Sequence, residues 1–336
     1  MNIVVLDELF DTIDIVDDFE YVIWDLAYYD KGFFEMKVPL TRLDTIKRGQ
    51  YIYRTDSVYT GRIDRISVDD RMLIVSGNFL EAMLDFRVDI VGRYLNTNAE
   101  SAMFGLLVDN LAGARGIPNL HLGANRGRGN VGTYNAHGQG LGGYFYELCE
   151  WNGLSYNIRL DIVTKCMEFN VIEGKNRTQT QSINEHCIFS GEFGNIHSEY
   201  YETNTDYPNF AHVLGETRTD EHGNDLPRQR VEVDRRQGRE KRELFVSAGN
   251  IRQEDGMSDN QYRAALTQRG IESLIENGKF ETIDFVLDES NNMFFELGDI
   301  VTYKHLSLGK VFELRVVEIK QVIEKNNLKK SVVLGR

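Results

Sequence analysis

Apolar and polar positions alternate with period two over much of this chain, the pattern of strands with one buried face. Residues 3–6 form a short apolar run, and residues 13–19 read as a strand entering an acidic turn. Residues 21–26 and 33–38 are two further strands, divided by Asp30-Lys31-Gly32, a turn signal because glycine takes positive φ freely. Pro39 ends that run, and residues 41–47 read as one helical turn.

Residues 48–77 predict a short strand behind a glycine, a long twisted strand, a charged turn and a closing strand. Within the long strand Ile63 and Ile66 are out of phase, which a bulge would reconcile. A similar order returns over residues 297–336. Gly49 falls against Gly298, Tyr51-Ile52-Tyr53 against Ile300-Val301-Thr302, Gly61-Arg62-Ile63-Asp64 against Phe312-Glu313-Leu314-Arg315, and Met72-Leu73-Ile74-Val75 against Ser331-Val332-Val333-Leu334. One small barrel used twice explains the match. Two β-meanders that merely look alike would give the same pattern.

Helical signals lie between the copies. Residues 80–87 suggest a short helix. Thr97-Asn98-Ala99-Glu100 matches a capping box, followed by Phe104, Leu107, Val108 and Leu111 on one face and Gly113 as the stop. Residues 113–143 are rich in glycine and asparagine and read as irregular or mobile. Tyr144, Phe145, Leu148 and Cys149 predict a helix stopped by Gly153, and residues 154–172 a hairpin. Beyond Cys187 the chain returns to strands at residues 188–190, 196–201 and 210–214. The charged stretch 217–242, with a turn at His222-Gly223-Asn224-Asp225, reads as a long solvated hairpin, with a nucleic-acid patch the lesser alternative. Ser258-Asp259-Asn260-Gln261 is a second capping box. It opens a helix striped by Tyr262, Leu266, Ile271, Leu274 and Ile275, with Gly270 allowing close approach and Gly278 ending it.

Composition narrows the function classes. The 336 residues suit two or three domains, and the formal charge of -14 disfavours tight binding to nucleic acid or an anionic membrane. Three cysteines without CxxC spacing favour neither a disulfide framework nor a zinc site. No signal peptide or membrane-spanning run is legible, so the sequon Asn176-Arg177-Thr178 carries little weight.

Candidate chemistry is sparse. GxGxxG occurs at residues 127–132 and 138–143, with Asp161 at a plausible ribose-binding distance. Neither copy follows a buried strand, and an antiparallel hairpin comes next. The histidines (His121, His137, His186, His197, His212, His222, His305) are scattered without metal-protease spacing. Asp17-Asp18 and Asp69-Asp70 sit in predicted turns, and the neighbours His186 and Cys187 are not spaced as a catalytic dyad. We expect no catalytic, cofactor-binding or metal-ligating residues and no enzyme activity.

The order of weak motifs is informative as a whole. Gly32-Phe33-Phe34-Glu35-Met36, Gly61-Arg62-Ile63, and Gly77-Asn78 with Leu84, Phe86 and Arg87 run through the first part. Phe189-Ser190, Asn209, Gly215-Glu216, Arg236, Arg242-Glu243-Leu244-Phe245-Val246, the helix with Tyr262, Leu266, Arg269 and Gly270, and Leu297-Gly298-Asp299-Ile300-Val301-Thr302 complete it. This order resembles the tail-tip or baseplate hub proteins of long-tailed bacteriophages and prophages, the siphophage tail family.

The resemblance implies a mainly β, α+β fold: two related small β-barrels with an α+β insertion. The implied domains are 1–90 (barrel), 91–185 (helices plus hairpin 154–172) and 186–336 (barrel with an inserted helix 258–277). It further implies a non-enzymatic homotrimeric ring in the virion tail, assembled in the bacterial host cytoplasm, that joins the sixfold tube to the threefold tip. Its partners would be the distal tail protein, the tape-measure protein and tail-tip or fibre proteins. DNA would pass through without stable binding, and this chain would not insert in a membrane. Some relatives carry a C-terminal peptidoglycan-degrading or fibre domain; this chain ends at Arg336, so that activity is expected to be absent or to reside on another polypeptide. A receptor- or glycan-binding tail protein and a cell-wall hydrolase are the alternatives. A sugar platform would have to draw on Trp24, Trp151 and exposed tyrosines.

Overall fold

The computed structural model describes every residue except 1, 94, 137, 221, 254–255, 289–292, 325–326 and 336, so His137 and Arg336 lie outside the described residues. The N-terminal strands are β1 (Ile3–Leu6), β2 (Thr12–Val16), β3 (Tyr21–Ala27), β4 (Phe33–Pro39), β5 (Tyr51–Arg54), β6 (Thr60–Arg62), β7 (Arg65–Asp69) and β8 (Met72–Asn78). They form a sheet ordered β2-β1-β5-β6 and a second layer, β3-β4-β8-β7. Strand β1 is a continuous apolar run because both its faces are covered. Ile3 and Val5 pack with Trp24, Phe34 and Ile52, whereas Val4 and Leu6 pack against the helices that follow. The predicted helical turns at 41–47 and 80–87 are 3-10 turns, Leu40–Asp44 and Leu80–Phe86. The phase change after Ile63 is a switch of sheet: β6 pairs with β5 and β7 with β8.

The middle of the chain holds β9 (Leu95–Asn98), α1 (Ala99–Asn110), β10 (Leu120–Leu122), β11 (Val131–Tyr134), α2 (Leu141–Asn152), β12 (Ser155–Asp161) and β13 (Cys166–Ile172). The hairpin forms as expected, with Ile158 opposite Phe169 and Leu160 opposite Met167. Gly153 ends α2 in the left-handed conformation. Two details differ from the sequence reading. The cap of α1 is Asn98, which accepts from Ser101 N at 2.9 Å, because Thr97 is held in β9 opposite Gly132. Glu100 is instead buried and paired with Arg128 at 2.9 Å. Val108 is 61% exposed, while Ala102, Met103 and Leu106 are buried; α1 is covered on a broad face that its apolar spacing does not mark. The glycine-rich stretch contains the short strands β10 and β11, the first parallel to β13 and the second antiparallel to β9.

The C-terminal part begins with β14 (Ile188–Ser190) and β15 (Ile196–Thr203). It then adds β16 (Phe210–Leu214), β17 (Arg218–Thr219), β18 (Asp225–Leu226), β19 (Arg230–Asp234), β20 (Glu243–Ser247) and α3 (Asp259–Glu276). The expected long solvated hairpin is shortened to β17 and β18. The rest of the charged stretch supplies β19, whose Val231 and Val233 are buried, in a sheet ordered β19-β16-β20 with its own small core. Helix α3 covers that sheet. Ser258 accepts from Gln261 N at 3.3 Å and its own N donates to Gln261 Oε1 at 2.9 Å, completing the predicted capping box. A Cβ on Gly270 would lie 2.7 Å from Val213 and Val233 methyls, so the close approach is real.

The chain closes with β21 (Glu281–Leu287), β22 (Ile300–His305), β23 (Lys310–Glu324) and β24 (Asn327–Gly335). The fold class is as expected: mainly β with α+β elements. The two small β units are related, yet among the described residues neither closes into a separate barrel, because β23 pairs with β3 and fuses their outer layers. The resulting ten-stranded sheet runs β15-β21-β24-β23-β3-β4-β8-β7, with β22 and β14 branching from β23.

Candidate assembly interface

Most strands of the two units correspond by their hydrogen bonding. Gly49 and Gly298 both sit at positive φ, +88° and +91°. Gly49 N donates to Ile63 O at 2.9 Å and Ile63 N to Gln50 O at 2.8 Å; Gly298 N donates to Val316 O and Val316 N to Asp299 O, both at 2.8 Å. From there Tyr51 pairs with Arg62 as Ile300 pairs with Arg315. Arg62 therefore corresponds to Arg315, two residues from the sequence alignment. In the same way Ile66 faces Val75 as Ile319 faces Val332, so Val75 corresponds to Val332 rather than Leu334. Strands β5, β6 with β7, β8, β4 and β3 thus correspond to β22, β23, β24, β21 and β15. The correspondence fails at the first strand, since β1 is antiparallel to β5 but β14 is parallel to β22.

The joint between the units is the strand pair β3·β23, with Asp25 opposite Lys320, Leu26 opposite Ile319 and Ala27 opposite Glu318. Two acids at mid-strand positions sit in it. Asp25 is buried and lies 3.5 Å from Lys320 Nζ. Burial, then the neighbouring Asp25, pushes the Glu318 carboxyl up to about 7, and burial raises Asp25 as well, with Lys320 opposing both shifts. Beside the joint, the fully buried Tyr28 ties three parts of the chain together. Its hydroxyl reaches Gly153 O at 3.3 Å and Ile172 O at 3.4 Å, and the Arg315 guanidinium lies 5.2 Å from its ring centre. A Cβ on Gly298 would fall 2.2 Å from a Tyr28 ring carbon. Arg177 and Asp299, a buried pair at 2.5 Å, fix the 173–187 segment to the second unit. Sequence reasoning passed over Asp25, Tyr28 and Glu318; for the two acids the available signal was an acid at the centre of an apolar strand, in VIWDLA and RVVEIK.

The candidate catalytic features are dispersed. Gly140 precedes α2, but among the described residues β11 before it pairs only with β9, antiparallel, and is not a buried parallel strand. Among the described residues no group of three or more His, Cys, Asp or Glu side chains is placed to hold a metal. His212 lies between Glu232 and Glu243, and Cys187 is buried with its thiol pushed up to about 12 by desolvation. In the basic stretch Arg230, Arg236 and Lys241 pair with Glu232, Asp234 and Glu243, and Arg242 with Asp206, which neutralises part of the charge a phosphate-binding patch needs. Trp24 and Trp151 are both buried, so a sugar platform cannot use them. Among the described residues no helix is long and apolar enough to cross a membrane.

A family model described as Siphovirus ReqiPepy6 Gp37-like protein matches residues 2–336. The chain belongs to this siphovirus family. No curated protein matches by sequence. Solved structures similar to this Gp37-like chain include the prophage tail protein gp18 from Listeria monocytogenes, at TM-score 0.60 and 13% identity over 100% of this chain and 94% of that one. The 43 kDa tail protein of prophage MuSo2 from Shewanella oneidensis gives TM-score 0.59 and 13% identity, covering 99% and 98%. A tail protein from Neisseria meningitidis gives TM-score 0.58 and 14% identity, covering 100% and 96%. At these identities the Gp37-like chain shares their fold, end to end.

Proposed function

We propose that this chain is a non-enzymatic structural component of the siphovirus tail, a hub in the virion tail tip or baseplate. Three copies form a ring, and their six related β units match a sixfold tube to a threefold tip. The observation that carries this reading is the internal duplication: the same glycine conformation and the same reciprocal hydrogen bonds recur at Gly49 and Gly298. Units 1–90 and 186–336 present the repeat, and 91–185 is the insertion between them. The distal tail protein, the tape-measure protein and fibre proteins would dock above and below. Three copies carry 3 × -14 = -42 formal charges. Acid lining the lumen would let DNA pass, since no counterions are released by like charges. Mass measurement of the chain in isolated tails, with imaging of the tip, tests this: three copies in a ring are expected, and a single copy per tail would end the proposal.

A further inference from the structure

The ten-stranded sheet ends in two open edges, β7 and β15. By the correspondence above, β7 is the counterpart of the second half of β23, and β15 the counterpart of β3. Those counterparts are the two strands that join the units inside the chain. We propose that β15 of one copy adds antiparallel to β7 of a second copy in the register of the internal joint, with Glu202 opposite Ser67 and Arg65 beside Glu202. This inference rests on the ring proposed above and specifies how its chains meet.

The register follows from the pairing. Asp25 faces Phe33 as Glu202 faces Thr282, so Asp25 corresponds to Glu202. Counting on from Ile63 and Val316, Arg65, Ile66, Ser67 and Val68 correspond to Glu318, Ile319, Lys320 and Gln321. Substitution into the β3·β23 register puts Val68 opposite Tyr201, Ser67 opposite Glu202, Ile66 opposite Thr203 and Arg65 opposite Asn204.

Three observations favour a second copy as the occupant. First, apolar groups line both open edges: Val68 is 58% and Tyr200 61% exposed, whereas Ile319, the counterpart of Ile66, is 4% exposed in the internal joint. Unprotected strand edges of this kind invite pairing. Second, the charges are complementary. The internal joint sets Lys320 opposite Asp25 with Glu318 diagonal to it; the open edges set Ser67 opposite Glu202 with Arg65 at the diagonal, so each joint supplies one cation to the acid, and both Arg65 and Glu202 are exposed. Third, Gly298 is filled by Tyr28 across the internal joint, while at Gly49 a Cβ would meet only Glu8 Oε1 at 3.4 Å, leaving room for the incoming strand end. Two different complementary edges on each chain make a head-to-tail contact, which closes into a ring when the rotation permits.

Ser67→Cys and Glu202→Cys, in the full-length chain with the half-buried Cys166→Ser, test the register. After oxidation of intact tails and of purified protein, the double variant is expected to give covalent species up to three chains, and each single variant none. In parallel, Arg65→Glu is expected to weaken self-association at least about tenfold, and Arg65→Glu with Glu202→Arg to restore it to within about threefold. Three copies per tail with neither the engineered disulfide between the two edges nor charge-swap rescue would overturn the strand pairing and leave the hub reading standing. One copy per tail would overturn both.

Discussion

Replacing Glu81 with glutamine isolates one buried ionisation. Glu81 lies in the turn Leu80–Phe86, 3% exposed, and its Oε1 accepts the N–H of Ile158 at 3.0 Å, linking the N-terminal unit to strand β12. Burial pushes its carboxyl from the ordinary 4.5 to about 7, against the smaller opposing effect of the backbone hydrogen bonds. An acid held above its unfolded value binds more protons folded than unfolded. Stability is therefore greatest below 4.5, falls as pH rises from 4.5 to 7, and stays lowered above. A gap of that size corresponds to about 3 kcal/mol at pH 8. Glutamine keeps the acceptor for Ile158 and removes the ionisation. Glu81→Gln should therefore gain on the order of 3 kcal/mol over wild type at pH 8, and little at pH 4.5. Trp151 belongs to the same core cluster as Leu80, Leu84 and Ile158, so its fluorescence reports the relevant unfolding. A midpoint rise on the order of 6–12 °C at pH 8 is expected. Wild type and variant melting alike at both pH values would refute the reasoning, because other buried acids such as Glu318 are common to both and cancel.

Gly298→Ala should cost more than Gly49→Ala. Both add strain at positive φ, but only the first drives a methyl into the Tyr28 ring, so we expect roughly 3 kcal/mol or more against about 1–2 in urea midpoints. Ser258→Ala should lower stability by about 1 kcal/mol and speed hydrogen exchange in the first turn of α3, where the Ser258–Gln261 box now holds it.

Local chemistry was legible in this sequence wherever one short-range rule decided the outcome. Gly153 at a helix end, the Ser258 box and the alternating hairpin 154–172 all formed. The repeat was visible in outline, yet its alignment slipped by two residues. A slip of two returns every side chain to the same face, so alternation alone cannot detect it; only the bonds from Gly49 to Ile63 and from Gly298 to Val316 fix the register. Thr97 misled because a cap signal and a strand position look alike until β11 supplies its partner. The small sheet under α3 was missed because β19 alternates charges with valines, and the buried valines were read together with the solvated arginines. The assembly edges were the least legible feature, since an edge is defined by what fails to pair with it in the folded chain.

The acid pair Asp25–Glu318 has a consequence for how such a chain tolerates change. The β3·β23 joint is intramolecular, so covalent connection gives its strands a high effective concentration for each other. A contact tethered in this way persists with two carboxyls, one buried and one half-buried, beside one lysine in it. A contact between separate chains has no tether and depends on its own affinity. In the proposed ring the same joint would occur once in cis and once in trans, and only the trans copy would depend on its own affinity. The tethered copy therefore accommodates the acids Asp25 and Glu318 beside Lys320, a cost that an untethered edge would have to meet from its own affinity.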